Sequence, residues 1–193
     1  GLTAILMLTG AAVPVKADDV WKFDAQRFVL KEYTGTETDV VVPDTMDDGV
    51  PVKRLGAQLL AGSETLTSVV VPDSVTILDV GALSYDDNLS EITLSSNLIN
   101  IGWNAISSND ALTELTIPAS VCIIDSYAVS GCYALKKIVF EGACPLIGSE
   151  AFAMLSDDVV IYVPDDQIEE YKKVFEENNK DLNIQPSGKS AVL

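Results

Sequence analysis

The sequence predicts an α/β solenoid of about five turns of 23 residues, with stacked parallel strands, short helical or irregular returns and a cap at each end. Residues 66–132 hold three successive segments that share one apolar pattern, and a leucine recurs at the same spacing at Leu66, Leu89, Leu112 and Leu135. Three further apolar columns keep this period: Leu55, Leu78, Ile101, Ile124, Ile147; Leu59, Ala82, Ala105, Ala128, Ala151; and Leu60, Leu83, Ile106, Val129, Phe152. A repeat that cannot bury its own apolar face must stack on its neighbours, so the period predicts one continuous core.

Length and charge restrict the class of protein. A chain of 193 residues allows one repeat domain with its caps. Its 29 acidic and 12 basic residues give a net charge of −17. We therefore expect no nucleic-acid partner and no docking on anionic lipid, because both need a basic surface. The chain has no histidine, so the commonest general base and transition-metal ligand are missing.

The three cysteines, Cys122, Cys132 and Cys144, predict neither a disulfide framework nor a zinc site, since their number is odd and no CxxC spacing occurs. Cys132 ends a repeat, where a small apolar side chain fits under a turn, and we expect a buried free thiol there. Cys122 and Cys144 lie one register apart on successive repeats. Strand alternation points them to opposite sides, so we expect no bridge.

Residues 1–17 resemble the remnant of a secretory signal peptide. An apolar run at residues 2–13 is followed by Val15-Lys16-Ala17, with small residues at the two positions that a signal peptidase inspects. The run is too short to span a bilayer, which takes about 20 residues. The alternative is an ordinary N-terminal strand or helix. We expect the mature protein to begin near Asp18, without membrane insertion, secreted or displayed on the surface of a bacterial cell.

Residues 18–193 then form a single repeat domain. Residues 18–43 are predicted to be an N-terminal β cap, in which the β-rich runs 28–30 and 40–42 form a hairpin-like pair across the turn-prone residues 34–36. The repeats occupy residues 44–163, and the first one carries a turn-rich insertion at residues 46–51. Within each turn the strand alternates, so that Leu112, Leu115 and Ile117 face the core.

The C-terminal end is predicted to close the stack with a helical cap at residues 164–185, followed by a frayed tail at residues 186–193. Asp166 and Glu169 fit a capping box at the start of this helix. Ile168, Tyr171 and Phe175 share one helical face, which would cover the last turn. A helix for a membrane surface or a partner is the alternative.

The repeat resembles the BspA-type leucine-rich repeats of bacterial cell-surface proteins, whose turn reads roughly L-x-x-I-x-I-P-x-S-V-x-x-I-G-x-x-A-F-x-x-C. The matching residues are Leu112, Leu115, Ile117, Pro118, Ser120, Val121, Ile124, Ala128 and Cys132, with Ile147-Gly148 and Ala151-Phe152. This resemblance implies a leucine-rich-repeat solenoid and an interaction role. Local departures are Asp79 and Asp125 for Gly, Ser95 and Glu141 for Pro, and Leu59 for Ala. The Asn/Cys ladder that other leucine-rich repeats carry directly after the strand is absent.

No catalytic motif stands out in the sequence. GxSxG, P-loop and GxGxxG patterns are absent, and adjacent carboxylates in turns do not provide the separated pair that glycosidase chemistry needs. We therefore expect no catalytic, cofactor or metal residues, and a hydrolase is only a third reading. The stacked turns Asp86-Asp87 and Asn109-Asp110 leave weak calcium binding as an alternative to solvated turns.

The strand side chains that do not face the core form the candidate binding face. They are Ser68, Val70, Glu91, Thr93, Glu114, Thr116, Lys136, Lys137 and Val139. Glu114 and Lys137 are expected to be cross-strand neighbours. We expect a monomeric, non-catalytic module that binds a protein or glycan, of the adhesion type, through this face; the alternative is a structural spacer without a ligand, whose face is only solubilising. Trp103 lies on the return side and marks a second surface that a partner could use.

Overall fold

The computed structural model describes residues 17–46, 49–177 and 182–192, so the leader-like residues 1–16 lie outside the described part. Within it the chain winds into a solenoid that carries strands on two sides of each turn. Backbone hydrogen bonds join successive turns, for example from Gly102 N to Leu78 O at 2.9 Å and from Asp125 N to Ile101 O at 2.9 Å. Each turn is therefore held to the next by its main chain.

The described residues form sixteen strands and two α-helices, most of them very short. The helices are α1 (Ala17–Val20) and α2 (Ile168–Glu177), and the strands are β1 (Trp21–Asp24), β2 (Val29–Tyr33), β3 (Asp39–Val41), β4 (Thr45–Met46), β5 (Val50–Pro51), β6 (Arg54–Leu55), β7 (Ser68–Val70), β8 (Ile77–Leu78), β9 (Glu91–Thr93), β10 (Asn100–Ile101), β11 (Glu114–Ile117), β12 (Ile123–Ile124), β13 (Lys137–Phe140), β14 (Leu146–Ile147), β15 (Val160–Val163) and β16 (Asn183–Pro186).

The strands line two sides of the solenoid. One side carries two parallel sheets, in the orders β3-β7-β9 and β11-β13-β15-β16, which meet at β9 and β11. Their outward surface is named the strand face below. The other side carries the return sheet, in the order β1-β2-β6-β8-β10-β12-β14, which is parallel apart from the antiparallel pair β1–β2.

The core lies between these two sides and is built from the predicted columns. The leading leucines Leu66, Leu89, Leu112 and Leu135 are buried, and so are Leu115 and Ile117, as the strand alternation predicted. The alanine column is also buried, from Ala82 to Ala151. In the column that begins at Leu55, Ile147 is only partly buried, because β14 is the last strand of the return sheet. The predicted solenoid is confirmed.

The stack is longer than the predicted five turns. Seven strands of the described residues lie along the strand face, which makes about seven turns. The additional strands are β3, from the segment assigned to the N-terminal cap, and β16, from the segment assigned to the C-terminal cap and tail. They join because an exposed strand edge offers unpaired backbone groups to any neighbouring extended segment, whether or not its side chains match the repeat.

The returns also differ from the expected short helical or irregular segments. Each return contains a two-residue strand of the return sheet and then hydrogen-bonded turns. The turns place a residue with positive φ at the same position of successive repeats. These residues include Gln58 (φ 56), Gly81 (φ 63), Asn104 (φ 54) and Tyr127 (φ 59), and of these four only Gly81 is a glycine. A left-handed residue at this corner lets the chain bend sharply without leaving the 23-residue period.

The N-terminal cap is a β hairpin, but its strands are not the predicted pair. Trp21 pairs with Tyr33 across β1 and β2, and their rings lie 4.2 Å apart. The turn between these strands is closed by Asp24, whose Oδ1 accepts hydrogen bonds from the amides of Gln26 and Arg27. The strand β3 crosses instead to the other side of the solenoid, so the predicted pairing of residues 28–30 with 40–42 is wrong. The predicted insertion at residues 46–51 is the small hairpin β4–β5, of which residues 47–48 are not described.

The C-terminal helix covers the last turn as predicted. Tyr171 and Phe175 are buried, and their rings lie 4.9 Å from Phe140 and 5.6 Å from Phe152, respectively. The predicted capping box is wrong, because a 3-10 turn at Asp165–Gln167 precedes α2 and the Asp166 carboxylate accepts a hydrogen bond from Ala191 N instead.

The tail folds against the solenoid instead of fraying. Asp165 N donates to Lys189 O at 2.8 Å, and the Asp165 carboxylate accepts from Gly188 N at 2.8 Å. Val192 N donates to Glu141 O at 3.0 Å. These bonds satisfy tail amides that an extended tail would leave to water.

All three cysteines are free, as expected, and Cys132 is the buried one. Burial raises the pKa of the Cys132 thiol to about 11. Among the helices of the described residues, none has the length and apolar character to cross a bilayer.

Candidate binding face

The strand face presents two outward columns whose members lie opposite each other on neighbouring strands. The first contains Asp39, Ser68, Glu91, Glu114, Lys137, Val160 and Asn183, and the second contains Val41, Val70, Thr93, Thr116, Val139, Tyr162 and Gln185. Eight of the nine predicted face residues fall in these columns. The ninth, Lys136, is exposed immediately before β13, and its amide donates to Thr113 O at 2.9 Å.

The N-terminal half of the strand face is acidic and rich in hydroxyl groups. Asp39 accepts hydrogen bonds from the hydroxyls of Thr67 at 3.0 Å and Ser68 at 2.6 Å. These donors hold the pKa of Asp39 below its ordinary value, so the carboxylate is charged at neutral pH. Glu91 and Glu114 continue the negative charge on the next two turns, and both are exposed.

The C-terminal half of the strand face carries lysines. Lys137 Nζ lies 3.0 Å from Glu114 Oε2, which confirms the expected cross-strand pair. Both side chains are largely in solvent, so the pair contributes about 0.2–1 kcal/mol to stability. Lys136 and Lys189 stand beyond it, and neither forms an ion pair with a described residue. Along the solenoid axis, lysines therefore follow the carboxylates of the first turns.

A cavity of about 340 Å³ opens at the C-terminal end of the strand face. Val139 and Tyr162 line it together with two lysines, Lys137 and Lys189, and one carboxylate, Glu141. The tail forms one wall, which the hydrogen bonds of Asp165 and Val192 hold in place.

The predicted face residues leave out both ends of this surface, Asp39 and Val41 at one end and the residues of β15 and β16 at the other. Tyr162 and Gln185 continue the column of Val139 at the same period of 23, so counting two more repeats would have found them. The cavity had no comparable signal, because its wall depends on tail residues that follow no repeat.

A second ordered feature is a column of side chains at the corner before each leading leucine, which we name the corner ladder: Ser63, Asp86, Asn109 and Cys132. Asp86 Oδ1 accepts a hydrogen bond from Ser63 N at 2.6 Å, and Asn109 Oδ1 accepts from Asp86 N at 3.1 Å. Asn109 Nδ2 donates to the carbonyls of Leu83 and Ile106, both at 2.9 Å, and Cys132 Sγ contacts Ile106 O at 3.3 Å. Polar side chains thus satisfy the buried main chain of the preceding turn.

The corner ladder changes the interpretation of the acidic turns. Asp86 and Asn109, which the calcium alternative uses as ligands, are buried and bound to backbone groups, whereas Asp87 and Asp110 point to solvent. The described residues contain no group of three or more His, Cys, Asp or Glu side chains that could hold a metal ion. The calcium alternative stays a prediction.

Asp86 is the one charged residue among the buried positions of the ladder. Its Oδ2 is buried and has no hydrogen-bond partner among the described residues. Loss of solvation raises the pKa of Asp86 from its ordinary 3.8 to about 7, and the nearby Asp87 adds to this shift. The carboxyl group is therefore near its titration point at neutral pH.

The return side carries exposed aromatic rings. Trp103 packs edge-on against Tyr127 with 6.3 Å between the ring centroids, and both residues are more than one third exposed. This surface is separate from the strand face.

A family model described as "BspA type Leucine rich repeat region (6 copies)" matches residues 53–181, more than half of the chain. The chain belongs to the BspA-type leucine-rich repeat family. A leucine-rich repeat protein from Bacteroides capillosus has 33% sequence identity over 63% of this chain and 93% of that chain, with a TM-score of 0.54. The comparison with curated proteins found no match.

More distant solved structures share the fold alone. The pneumococcal vaccine antigen PcpA has 18% identity and a TM-score of 0.62, over 92% of this chain and 47% of that one. The leucine-rich repeat protein of T. pallidum has 19% identity and a TM-score of 0.53, over 92% of this chain and 99% of that one.

Proposed function

We propose that this protein is a non-catalytic interaction module, displayed outside a bacterial cell, that binds a protein partner through the strand face. The observation that carries the proposal is the strand face itself. It is an outward surface on seven strands, with carboxylates in its N-terminal half, lysines in its C-terminal half and a cavity lined by Lys137, Lys189 and Glu141 at one end. A broad surface with both signs of charge suits a protein partner of complementary charge.

The family supports the location outside the cytoplasm. The BspA-type repeat resembles those of bacterial surface proteins, the leader-like residues 1–17 fit an exported chain, and one neighbour of the fold is a vaccine antigen. A glycan partner would use the same face with smaller contact area, and a spacer without a ligand would leave it unused.

Binding to a panel of extracellular proteins, measured on a biosensor, tests the proposal. The variant Glu91→Lys/Glu114→Lys/Lys137→Glu reverses the charges of both halves and should weaken binding at least tenfold, since close like charges across an interface are strongly unfavourable. The control variant Asp87→Lys/Asp110→Lys changes two exposed charges away from the strand face and should bind as the wild type does. Equal binding by both variants would exclude the strand face, and a silent panel would favour the spacer.

A further inference from the structure

The positive charges of this acidic protein lie in two groups along the chain, one of them near its N-terminal end. Five of the 12 basic residues lie in residues 22–54, namely Lys22, Arg27, Lys31, Lys53 and Arg54, whereas residues 55–135 contain no lysine or arginine. A protein with a net charge of −17 repels anions over most of its surface. A cluster of cations in this setting is therefore a local attraction for an anionic ligand.

Three of these cations surround a cavity of about 600 Å³ beside the start of the return sheet. Arg27, Lys31 and Arg54 line it together with Phe28, Ala57 and Asp79. The volume lies within the range of small-molecule sites. The cavity belongs to the return side, so it is distinct from the strand face.

The cations of this cavity are only partly neutralised. Lys31 Nζ lies 2.8 Å from Asp24 Oδ2, and Arg54 Nη2 is paired with Asp79 Oδ1. Arg27 forms no ion pair with the described residues, and the buried Nε of Arg54 has no hydrogen-bond partner among them. Three cations against two carboxylates leave an excess of positive charge, and guanidinium groups bind carboxylates in a planar, two-point geometry.

Phe28 supplies an apolar surface beside these cations. Its side chain is 42% exposed and lines the cavity, although an aromatic residue of this size normally avoids solvent. Its φ of 58° lies in the left-handed region, which is strained for a bulky side chain. The amides of Lys53 and Arg54 hold this conformation through hydrogen bonds of 2.9 and 3.1 Å to Phe28 O.

We propose that this cavity binds a carboxylate-bearing sugar residue, of the uronic or sialic acid type. The guanidinium groups of Arg27 and Arg54 hold the carboxylate, and the ring of Phe28 packs against the apolar face of the sugar. An acidic side chain of a peptide would use the cations but leave Phe28 and most of the cavity unfilled. This site is independent of the partner proposed for the strand face.

Titration of the full chain with single sugars, followed by NMR chemical shifts, tests the proposal. Glucuronate and N-acetylneuraminate should bind with dissociation constants in the millimolar range and shift the amides of residues 26–31 and 54–57. Glucose should not bind, and acetate should bind at least tenfold more weakly than glucuronate, because each supplies only half of the contacts. Equal binding of acetate and glucuronate, or no binding of either acidic sugar, would overturn the proposal.

Three variants separate the ligand contacts from folding. Arg54→Lys keeps the charge but loses the planar donor pair, and should weaken glucuronate binding at least fivefold. Phe28→Asn tolerates the left-handed backbone, so its melting temperature should equal or exceed that of the wild type while glucuronate binding falls about tenfold. Lys53→Gln removes an exposed charge outside the cavity and should change binding less than twofold. Unchanged binding by Phe28→Asn, or equal losses in Lys53→Gln and Arg54→Lys, would contradict the assignment.

Discussion

Two successive corners of the solenoid solve the same problem with different side chains. Asn109 accepts a hydrogen bond from the amide of the preceding corner and donates to two carbonyls, so each polar atom of its side chain is used. Asp86 stands one turn earlier and also accepts an amide hydrogen bond, but its second oxygen is buried without a partner among the described residues. The comparison teaches that the corner needs both an acceptor and a donor, and that a carboxylate provides the donor only when it is protonated.

The largest effect on stability is expected from removing the Asn109 side chain, whose polar atoms are all hydrogen-bonded. Asn109→Ala would lose three hydrogen bonds and leave buried backbone groups without partners, so we expect it to lower the free energy of unfolding by about 2–4 kcal/mol. Urea denaturation followed by circular dichroism measures this change. The control Asn88→Ala removes one exposed bond, from Asn88 Nδ2 to Glu64 O, and should cost less than about 0.5 kcal/mol. Equal losses would show that the ladder contributes nothing beyond a surface contact.

Supplying the missing hydrogen-bond donor at position 86 should stabilise the protein. Asp86→Asn supplies an amide donor where Asn109 has one, and the equivalent carbonyls are those of Leu60 and Leu83. We expect the free energy of unfolding at pH 8 to rise by about 1–3 kcal/mol, because an unpaired buried oxygen is removed. Asp87→Asn also removes one charge, but at an exposed site, and should change stability by less than about 0.5 kcal/mol. A lower free energy of unfolding for Asp86→Asn would refute the conclusion that the corner needs both an acceptor and a donor.

The same corner predicts a dependence of stability on pH. The folded-state pKa of Asp86, about 7, lies above the ordinary 3.8, so the native state binds the proton more tightly between these values. Stability should therefore fall as the pH rises through this window and level off above about pH 7. Between pH 5 and pH 7 we expect a loss of about 1–2 kcal/mol. The loss should vanish in Asp86→Asn; if it persists there, another group causes it.

The smallest effect is expected one turn further on. Cys132 occupies the next corner with a weak donor to Ile106 O, so Cys132→Ala should lower the free energy of unfolding by only about 1 kcal/mol. Cys122→Ala, at an exposed position, should have no measurable effect. A loss as large as that of Asn109→Ala would mean that the thiol fills space that the alanine cannot.

The scaffold was more predictable than its ends. The column from Leu55 to Ile124 could be predicted to face inward, because residues that recur every 23 positions lie on the same side of a continuous core. The pairing of β1 with β2 and the addition of β16 could not be predicted in the same way. Both depend on which extended segment reaches a free strand edge, and backbone hydrogen bonds accept almost any side chain.

The candidate binding face also has a part that the sequence predicted and a part that it did not. Glu114 and Lys137 were predicted to be neighbours because they lie 23 residues apart, whereas the cavity beside Lys137 depends on a tail that the carboxylates of Asp165 and Asp166 help to hold. The sequence pattern suggested helix capping for Asp166 and no role for Asp165. Their true partners are amides of Gly188 and Ala191, more than 20 residues away.

The sequence by itself determined the repeat, the family, the inward columns and the outward residues of the middle turns, because a regular period turns sequence distance into spatial neighbourhood. Only the tertiary structure decided which polar residues are buried. Asp86 and Asn109 looked like solvated turn residues, and they are instead buried and hydrogen-bonded to the main chain. Burial of a corner depends on the turns before and after it, and the sequence of a single turn does not contain that information.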